Sequence, residues 1–193
     1  MKVYFLRHGE TQYNLEMRMQ GWIDIPLNDK GKEQAALTRE KIKERGLTFD
    51  RVYSSPLIRA RQTACIVSGL DQSDLRIDDR LIEMGFGKYE GLRFEHIPED
   101  IFELIRRTGT DAAEEVESAG SVLERTRSFL DSLKALEGTD SILCVCHGVT
   151  LRSLYSHLNL DGSSIPWELK IGNCALYEST LTDGEFSPME RIL

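Results

Sequence analysis

Two short apolar runs limit what this chain of 193 residues can fold into more than any other feature. Residues 3–6 are apolar throughout, and so is the run 142–146. Neither run alternates polar with apolar side chains, which is typical of a strand that is buried on both faces. Such strands need a covering layer on each side of their sheet.

Segments with helical character separate these runs from further short strands. Helices are predicted at 30–45 after an Asn-Asp cap, from 54–56 onward, at 121–136 with one apolar stripe, and at 149–158; strands are predicted at 51–54, 75–77 and 175–178. This alternation predicts an α/β fold, a three-layer α/β/α sandwich with a mostly parallel central sheet. We expect a single domain over 1–193, with a small lid or insertion at about 84–120 that contains one amphipathic helix near 101–106.

The charge balance limits the kinds of partner. The chain has 24 basic and 32 acidic side chains, a formal charge of −8. Nucleic acids and membrane surfaces are polyanionic, so we expect neither as a partner. No run approaches the roughly 20 apolar residues of a membrane helix, and the first apolar run ends at Arg7 without forming a signal peptide. A cytoplasmic location follows as an expectation, while the oligomeric state stays open.

The four cysteines are expected to be reduced thiols in the interior. Cys144 and Cys146 share one face of their predicted strand. Strand alternation points His147 to the opposite face, so these three residues are a poor candidate for a metal site.

Each of the two buried strands leads into His-Gly, the first through Arg7 and the second directly. His8 precedes Gly9, and His147 precedes Gly148. Ligands of open parallel sheets bind beyond the carboxyl ends of the strands, and a helix that follows directs N–H groups at an anion. A single histidine is more often structural, but two in one context predict a site. His96 and His157 lack this context and are expected to be surface or packing residues.

Two arginines suggest what that site binds. Arg7 adjoins His8, and Arg59 follows the strand at 51–54. A planar guanidinium suits the forked recognition of phosphate oxygens, although arginine most often covers a solvated helix face. Together they predict a local basic pocket in an acidic protein.

Four blocks of the sequence, in order between residue 2 and about residue 178, resemble the histidine phosphatase (phosphoglycerate mutase-like) superfamily, in its phosphatase branch. They are Leu6-Arg7-His8-Gly9-Glu10-Thr11 with Asn14 and 21–27; Tyr53-Ser54-Ser55-Pro56-Leu57-Ile58-Arg59-Ala60-Arg61-Gln62-Thr63; 80–91; and Val145-Cys146-His147-Gly148.

The resemblance implies a role at each matching position. The implied site residues are catalytic His8, Glu83 and His147; phosphate-binding Arg7, Asn14, Arg59 and Gly148; and substrate-binding Gln20 and Gly21. His8 is then the nucleophile that becomes a phosphohistidine, which requires a neutral imidazole. Glu83 protonates the leaving group, and a protonated His147 joins the arginines around the phosphoryl oxygens. No metal and no cofactor are expected, because the guanidinium groups supply the positive charge.

Two reactions share this machinery. Mutases of the superfamily carry a longer insertion between the acid and the second histidine, and a longer tail over the site. The shorter insertion and tail of this chain would leave the site open to water, which favours a metal-independent phosphomonoester hydrolase acting on a small phosphorylated metabolite. The alternatives are a 2,3-bisphosphoglycerate-dependent phosphoglycerate mutase and, from another class, an inactive phospho-ligand or protein-binding module.

The substrate stays open among phosphoglycerates, sugar phosphates, nucleotides and ribazole phosphate. Acidic residues within 84–120 either disfavour highly anionic substrates or simply face solvent: Glu95, Glu99, Asp100 and Glu103.

Overall fold

Both apolar runs form strands that lie side by side in the sheet. The computed structural model describes residues 1–106, 116–136 and 139–193. Within them the strands are β1 (Lys2–Arg7), β2 (Arg51–Ser54), β3 (Arg76–Ile77), β4 (Ser141–Cys146), β5 (Leu176–Thr182), β6 (Glu185–Phe186) and β7 (Glu190–Arg191). Their order in the sheet is β3-β2-β4-β1-β5-β6, and β7 pairs with β5.

The pairing is parallel on one side of β1 and antiparallel on the other. The pairs β1–β4, β2–β4 and β2–β3 are parallel, whereas β5 runs antiparallel to β1, β6 and β7. The sheet is therefore mixed, with the predicted parallel arrangement through β3, β2, β4 and β1. The α/β fold class is confirmed.

The described helices are α1 (Gln12–Leu15), α2 (Asp29–Glu44), α3 (Ile58–Ser68), α4 (Glu99–Arg106), α5 (Ala119–Lys134) and α6 (Gly148–Asn159). The Asn28 side chain caps α2 by accepting the N–H of Gly31 (2.7 Å), as the cap signal predicts. Helix α3 begins later than predicted, because the Ser55 N–H still donates to Val145 of the sheet. None of the described helices has the length and apolar character that crossing a membrane requires.

The apolar runs of β1 and β4 are continuous because a hydrophobic core lies on each face of the sheet. Phe5 contributes to the core that contains Phe129 of α5 and Leu151 of α6. Its neighbours in β1, Tyr4 and Leu6, contribute to the opposite core with residues of α2 and α3. Successive strand side chains point to opposite faces, so a strand between two helical layers is apolar at every position.

The predicted insertion has a small core of its own. Phe86, Ile97 and Ile105 are buried there, together with Val122 of α5 and Val149 of α6. The predicted helix near 101–106 is α4, while the part of the insertion at 107–115 lies outside the described residues. The insertion thus packs against the start of α6, the helix that follows His147.

Candidate active site

The two strand-terminal histidines lie next to each other. In the parallel β1–β4 pair, Arg7 is opposite Cys146, and the His8 N–H donates to the Cys146 carbonyl (3.0 Å). The ring centroids of His8 and His147 are consequently 5.1 Å apart. Residues 139 positions apart in the chain meet because adjacent parallel strands end at the same edge of a sheet.

The hydrogen bonds of His8 fix which ring nitrogen is basic. Its Nδ1 is 2.7 Å from the carbonyl oxygen of Gly9, and a carbonyl only accepts, so Nδ1 carries the proton. The lone pair is then on Nε2. Burial, followed by the charges of Arg59 and Arg7, holds the pKa of His8 well below 6.5. His8 is therefore a neutral imidazole at physiological pH.

The ring of His147 contacts protein groups through both of its nitrogens. Arg59 Nε donates to His147 Nδ1 (3.2 Å), and His147 Nε2 is 2.7 Å from the Ser55 hydroxyl. An arginine N–H cannot accept, so Nδ1 is unprotonated and Nε2 carries the proton. Burial, with Arg59 as the next cause, holds the pKa of His147 well below 6.5.

His147 thus differs from the expectation of a protonated residue that touches the phosphoryl group. In this arrangement it is neutral, both of its ring nitrogens are bonded to protein, and it is absent from the residues that line the cavity. The physical reason is the cost of adding a third buried cation beside Arg7 and Arg59.

Arg59 is the largest fully buried side chain of the described residues. Besides the bond to His147, its Nη1 donates to the Ile23 carbonyl (2.9 Å) and its Nη2 to the Gly21 carbonyl (2.8 Å). Burial lowers the pKa of Arg59 to about 10, which leaves it a cation at neutral pH.

Gly21 has a backbone conformation that suits glycine. Its φ is +52°, and a Cβ there would lie 2.0 Å from Glu90 Oε1. The Glu90 carboxylate accepts the N–H groups of Trp22, Ile23 and Phe86, which ties the loop at 21–23 to the insertion. Glu90 is not among the predicted site residues.

Glu83 is buried at the N-terminus of α6. Its Oε1 accepts the backbone N–H groups of Met84 (3.0 Å), Val149 (3.1 Å) and Thr150 (3.2 Å). Among the described residues, its Oε2 accepts only the longer bond from Val149 (3.2 Å). Oε1 is therefore held by three backbone N–H groups, and Oε2 is the less occupied oxygen.

Two amide side chains are oriented with a donor to spare. Asn14 Oδ1 accepts from the Thr11 N–H (3.1 Å). Gln20 Oε1 accepts from the Thr11 hydroxyl (2.7 Å). With the oxygens engaged, the NH₂ groups of both side chains are the atoms available to a ligand.

A cavity of about 310 Å³ opens beside these groups. Eight of the nine predicted site residues line it, the exception being His147. The other lining residues are Arg18, Met19, Phe86, Phe94, Phe102, Ile105, Arg106, Val149, Arg152 and Trp167. The four acidic residues of the insertion named above are exposed and lie outside the lining.

Sequence reasoning missed the additional arginines and the aromatic wall. Arg152 carried a usable signal, because it follows Gly148 by four residues and so lies one helical turn further on the same face. The aromatic residues of the insertion carried none, since their pattern also fits an ordinary core.

The described part of the chain holds no cluster of three His, Cys, Asp or Glu side chains arranged as metal ligands. Cys144 and Cys146 lie in the core beneath α5 and α6.

Comparisons with known proteins give relatives along most of the chain. The family model described as histidine phosphatase superfamily (branch 1) matches residues 3–191. An Escherichia coli protein named probable phosphoglycerate mutase GpmB is 33% identical over 180 residues, 91% of this chain and 83% of that protein.

Two solved structures share the fold along almost the whole chain. A mycobacterial glucosyl-3-phosphoglycerate phosphatase superposes with a TM-score of 0.82 at 27% identity and covers 100% of this chain and 97% of its own. An alpha-ribazole phosphatase from Shigella flexneri has a TM-score of 0.83 at 24% identity, covering 97% and 94% of the two chains. The second likeness is one of fold alone.

Proposed function

Because this chain belongs to branch 1 of the histidine phosphatase superfamily, we propose that it hydrolyses a small phosphorylated metabolite through a phosphohistidine on His8, without a metal ion. The phosphatase names of structural relatives support the reaction class. The finer assignments rest on the site itself.

One observation carries the proposal. His8 donates from Nδ1 to the Gly9 carbonyl, so its unprotonated nitrogen is Nε2, in a cavity lined by Arg7, Arg59 and Glu83. A neutral imidazole with a fixed tautomer is a competent nucleophile, and the two guanidinium groups offset the charge of a phosphoryl dianion.

The reaction runs in two steps. His8 Nε2 attacks phosphorus, the ester P–O bond breaks, and Glu83 gives its Oε2 proton to the leaving oxygen. The Glu83 carboxylate then takes a proton from water, which attacks the phosphohistidine and releases phosphate. Asn14, Gln20 and the first N–H of α6, on Gly148, supply neutral donors to substrate oxygens.

The role of His147 in this scheme is indirect. Its Nδ1 accepts from Arg59 Nε (3.2 Å), while Ser55 holds the other side of the ring. We propose that His147 orients Arg59 toward the phosphoryl group; direct contact with a phosphoryl oxygen stays a prediction.

Turnover of para-nitrophenyl phosphate in EDTA tests the proposal. We expect phosphate release by the wild type and an acid-labile, base-stable phosphoenzyme, both lost in His8→Ala. The exposed His96 provides a matched control, and His96→Ala should retain both. Labelling that persists in His8→Ala would show another nucleophile, and phosphate-analogue binding without any turnover would support a binding module.

A mutase is the second candidate, favoured by the name of the E. coli relative. The two reactions differ in where the phosphoryl group goes after His8. Conversion of 3-phosphoglycerate to 2-phosphoglycerate that is stimulated by 2,3-bisphosphoglycerate, and that outpaces phosphate release, would replace the hydrolase assignment.

We also propose a cytoplasmic location. Cys65, Cys144, Cys146 and Cys174 are unpaired thiols, as a reducing compartment would keep them.

A further inference from the structure

Arg152 is a cavity-lining cation to which the proposed mechanism gives no task. Its Nε donates to the Leu169 carbonyl (2.9 Å), which anchors the guanidinium and leaves its two Nη groups for other partners. No described carboxylate forms an ion pair with it. Burial lowers the pKa of Arg152 and the nearby Glu83 carboxylate partly offsets this, so a partly desolvated cation is held near Glu83 without a direct ion pair.

The space beside the Cα of Gly148 shows where this guanidinium is directed. A Cβ placed on Gly148 would lie 3.4 Å from Arg152 Nη1, 3.7 Å from Arg7 Nε and 3.7 Å from Glu83 Oε2. Outside the adjoining backbone, these are its three nearest heavy atoms. Three polar groups from separate parts of the fold thus surround one point that a side chain at this position would fill.

Arg7 gives independent support that an acceptor belongs there. Its Nε is buried and makes no hydrogen bond within the described protein. A buried N–H without a partner is costly, and a substrate oxygen above Gly148 would satisfy it together with Arg152 Nη1.

We propose that Arg152 is a further catalytic residue, which donates from Nη1 to the ester oxygen of the substrate. This proposal rests on the proposed function. Glu83 must deliver its proton from Oε2 to that same oxygen. Arg152 Nη1 and Glu83 Oε2 lie near the same point above Gly148, so Nη1 can donate to the leaving-group oxygen there.

The step balances without a change in the charge of Arg152. His8 Nε2 forms the new bond to phosphorus, and the electron pair of the broken P–O bond goes to the ester oxygen. The proton from Glu83 Oε2 joins that oxygen. Arg152 keeps its protons and stabilises the negative charge, first on the oxygen and then on the Glu83 carboxylate.

The other two unassigned arginines of the cavity do not fit this role. Arg18 Nε is bonded to Glu16 (2.6 Å) and its Nη1 to the Gly91 carbonyl (2.8 Å). Arg106 is exposed at the end of α4. Neither is among the atoms nearest to the point above Gly148.

A series of para-substituted phenyl phosphates tests the proposal, because it varies the leaving group while the shape stays nearly constant. In Arg152→Gln we expect kcat/KM to fall about 100-fold for para-methoxyphenyl phosphate, the effect of losing one oxyanion donor, and under about threefold for para-nitrophenyl phosphate. Arg152→Lys, which keeps the charge, should recover part of the loss. Arg106→Gln removes a cavity charge elsewhere and should leave the leaving-group dependence as in the wild type.

The results of this series distinguish a failure of the proposed Arg152 role from a failure of the proposed hydrolase function. If the wild type hydrolyses the series and Arg152→Gln loses the same factor on every member, Arg152 does not act on the leaving oxygen. An equal change in Arg106→Gln would show that the effect arises from the overall electrostatic field of the cavity and not from a specific contact of Arg152. A wild type that hydrolyses none of the series would overturn the proposed function, and this role with it.

Discussion

Acidification should destabilise this protein through His8 and His147. Between about pH 7.5 and pH 5.5 we expect the free energy of unfolding to fall by about 2.7 kcal/mol from these two residues. They are 2% and 0% exposed, and burial, with Arg59 as the next cause, holds the pKa of each well below 6.5.

The sign follows from which state takes up protons. In the unfolded chain a histidine protonates with a pKa of about 6.5, while the native ring stays neutral, so the unfolded state gains stability as the pH falls. One such histidine changes the unfolding free energy by about 1.4 kcal/mol over this interval, and two by about 2.7 kcal/mol. His157, whose pKa is lowered by partial burial, acts in the same direction.

Four carboxylates with depressed pKa values do not contribute in this pH window. The pKa values of Glu16, Asp50, Asp78 and Asp161 are lowered from 4.5 or 3.8. A carboxylate with a depressed native pKa stabilises the fold above its unfolded value, and that contribution is lost only at lower pH.

Urea denaturation of the wild type and His8→Asn at both pH values measures the effect. Asparagine offers an N–H to the Gly9 carbonyl but does not titrate, so the variant should lose only about 1.4 kcal/mol from His147. His96→Asn, at a side chain that is 66% exposed, should behave as the wild type. A wild-type change below about 1 kcal/mol, or an undiminished change in His8→Asn, would refute the reasoning.

Three further predictions concern the supports of the site. Thr63→Val removes the hydroxyl that accepts the buried Gly9 N–H (3.0 Å), and it should cost about 1–3 kcal/mol in urea denaturation; a cost under about 0.5 kcal/mol would contradict this. Glu83→Gln should lower kcat/KM by about 10²- to 10⁴-fold for poor leaving groups and much less for para-nitrophenyl phosphate, and equal losses would remove Glu83 from the acid role. Arg125 pairs with Glu117 (2.9 Å) and donates to the carbonyls of residues 80 and 82 (2.7 Å each), beside Glu83. Arg125→Lys cannot make all these bonds, so thermal unfolding should come earlier and the loss of kcat/KM should be greatest for poor leaving groups; an unchanged leaving-group dependence would assign the pair to stability alone.

What the sequence predicted well depends on patterns that the backbone enforces. Because residues 3–6 of β1 and 142–146 of β4 are apolar at every position, these strands had to lie between two helical layers, and they do. Parallel neighbours end at one edge, so the pairing of β1 with β4 brings His8 close to His147. The short strands β6 and β7 have two residues each, too few to show a pattern.

What the sequence could not predict depends on distances between side chains. The neutral state of His147 follows from contacts with Arg59 and Ser55, residues about 90 positions away. The three N–H groups on Glu83 Oε1 depend on how the segment at 80–84 meets α6. The proposed role of Arg152 can be inferred only from the positions of the atoms around Gly148.

The position of β1 has a consequence for how this protein is made. The strand that precedes the proposed nucleophile, β1, ends at Arg7, whereas its neighbours β4 and β5 begin at Ser141 and Leu176, so β1 is synthesised before either partner. An apolar strand with two unpaired edges must therefore wait for both neighbours during translation, when such segments are prone to aggregation. Co-translational chaperones, and the speed at which β4 and β5 are synthesised, should govern the yield of active enzyme more than the overall stability of the finished fold.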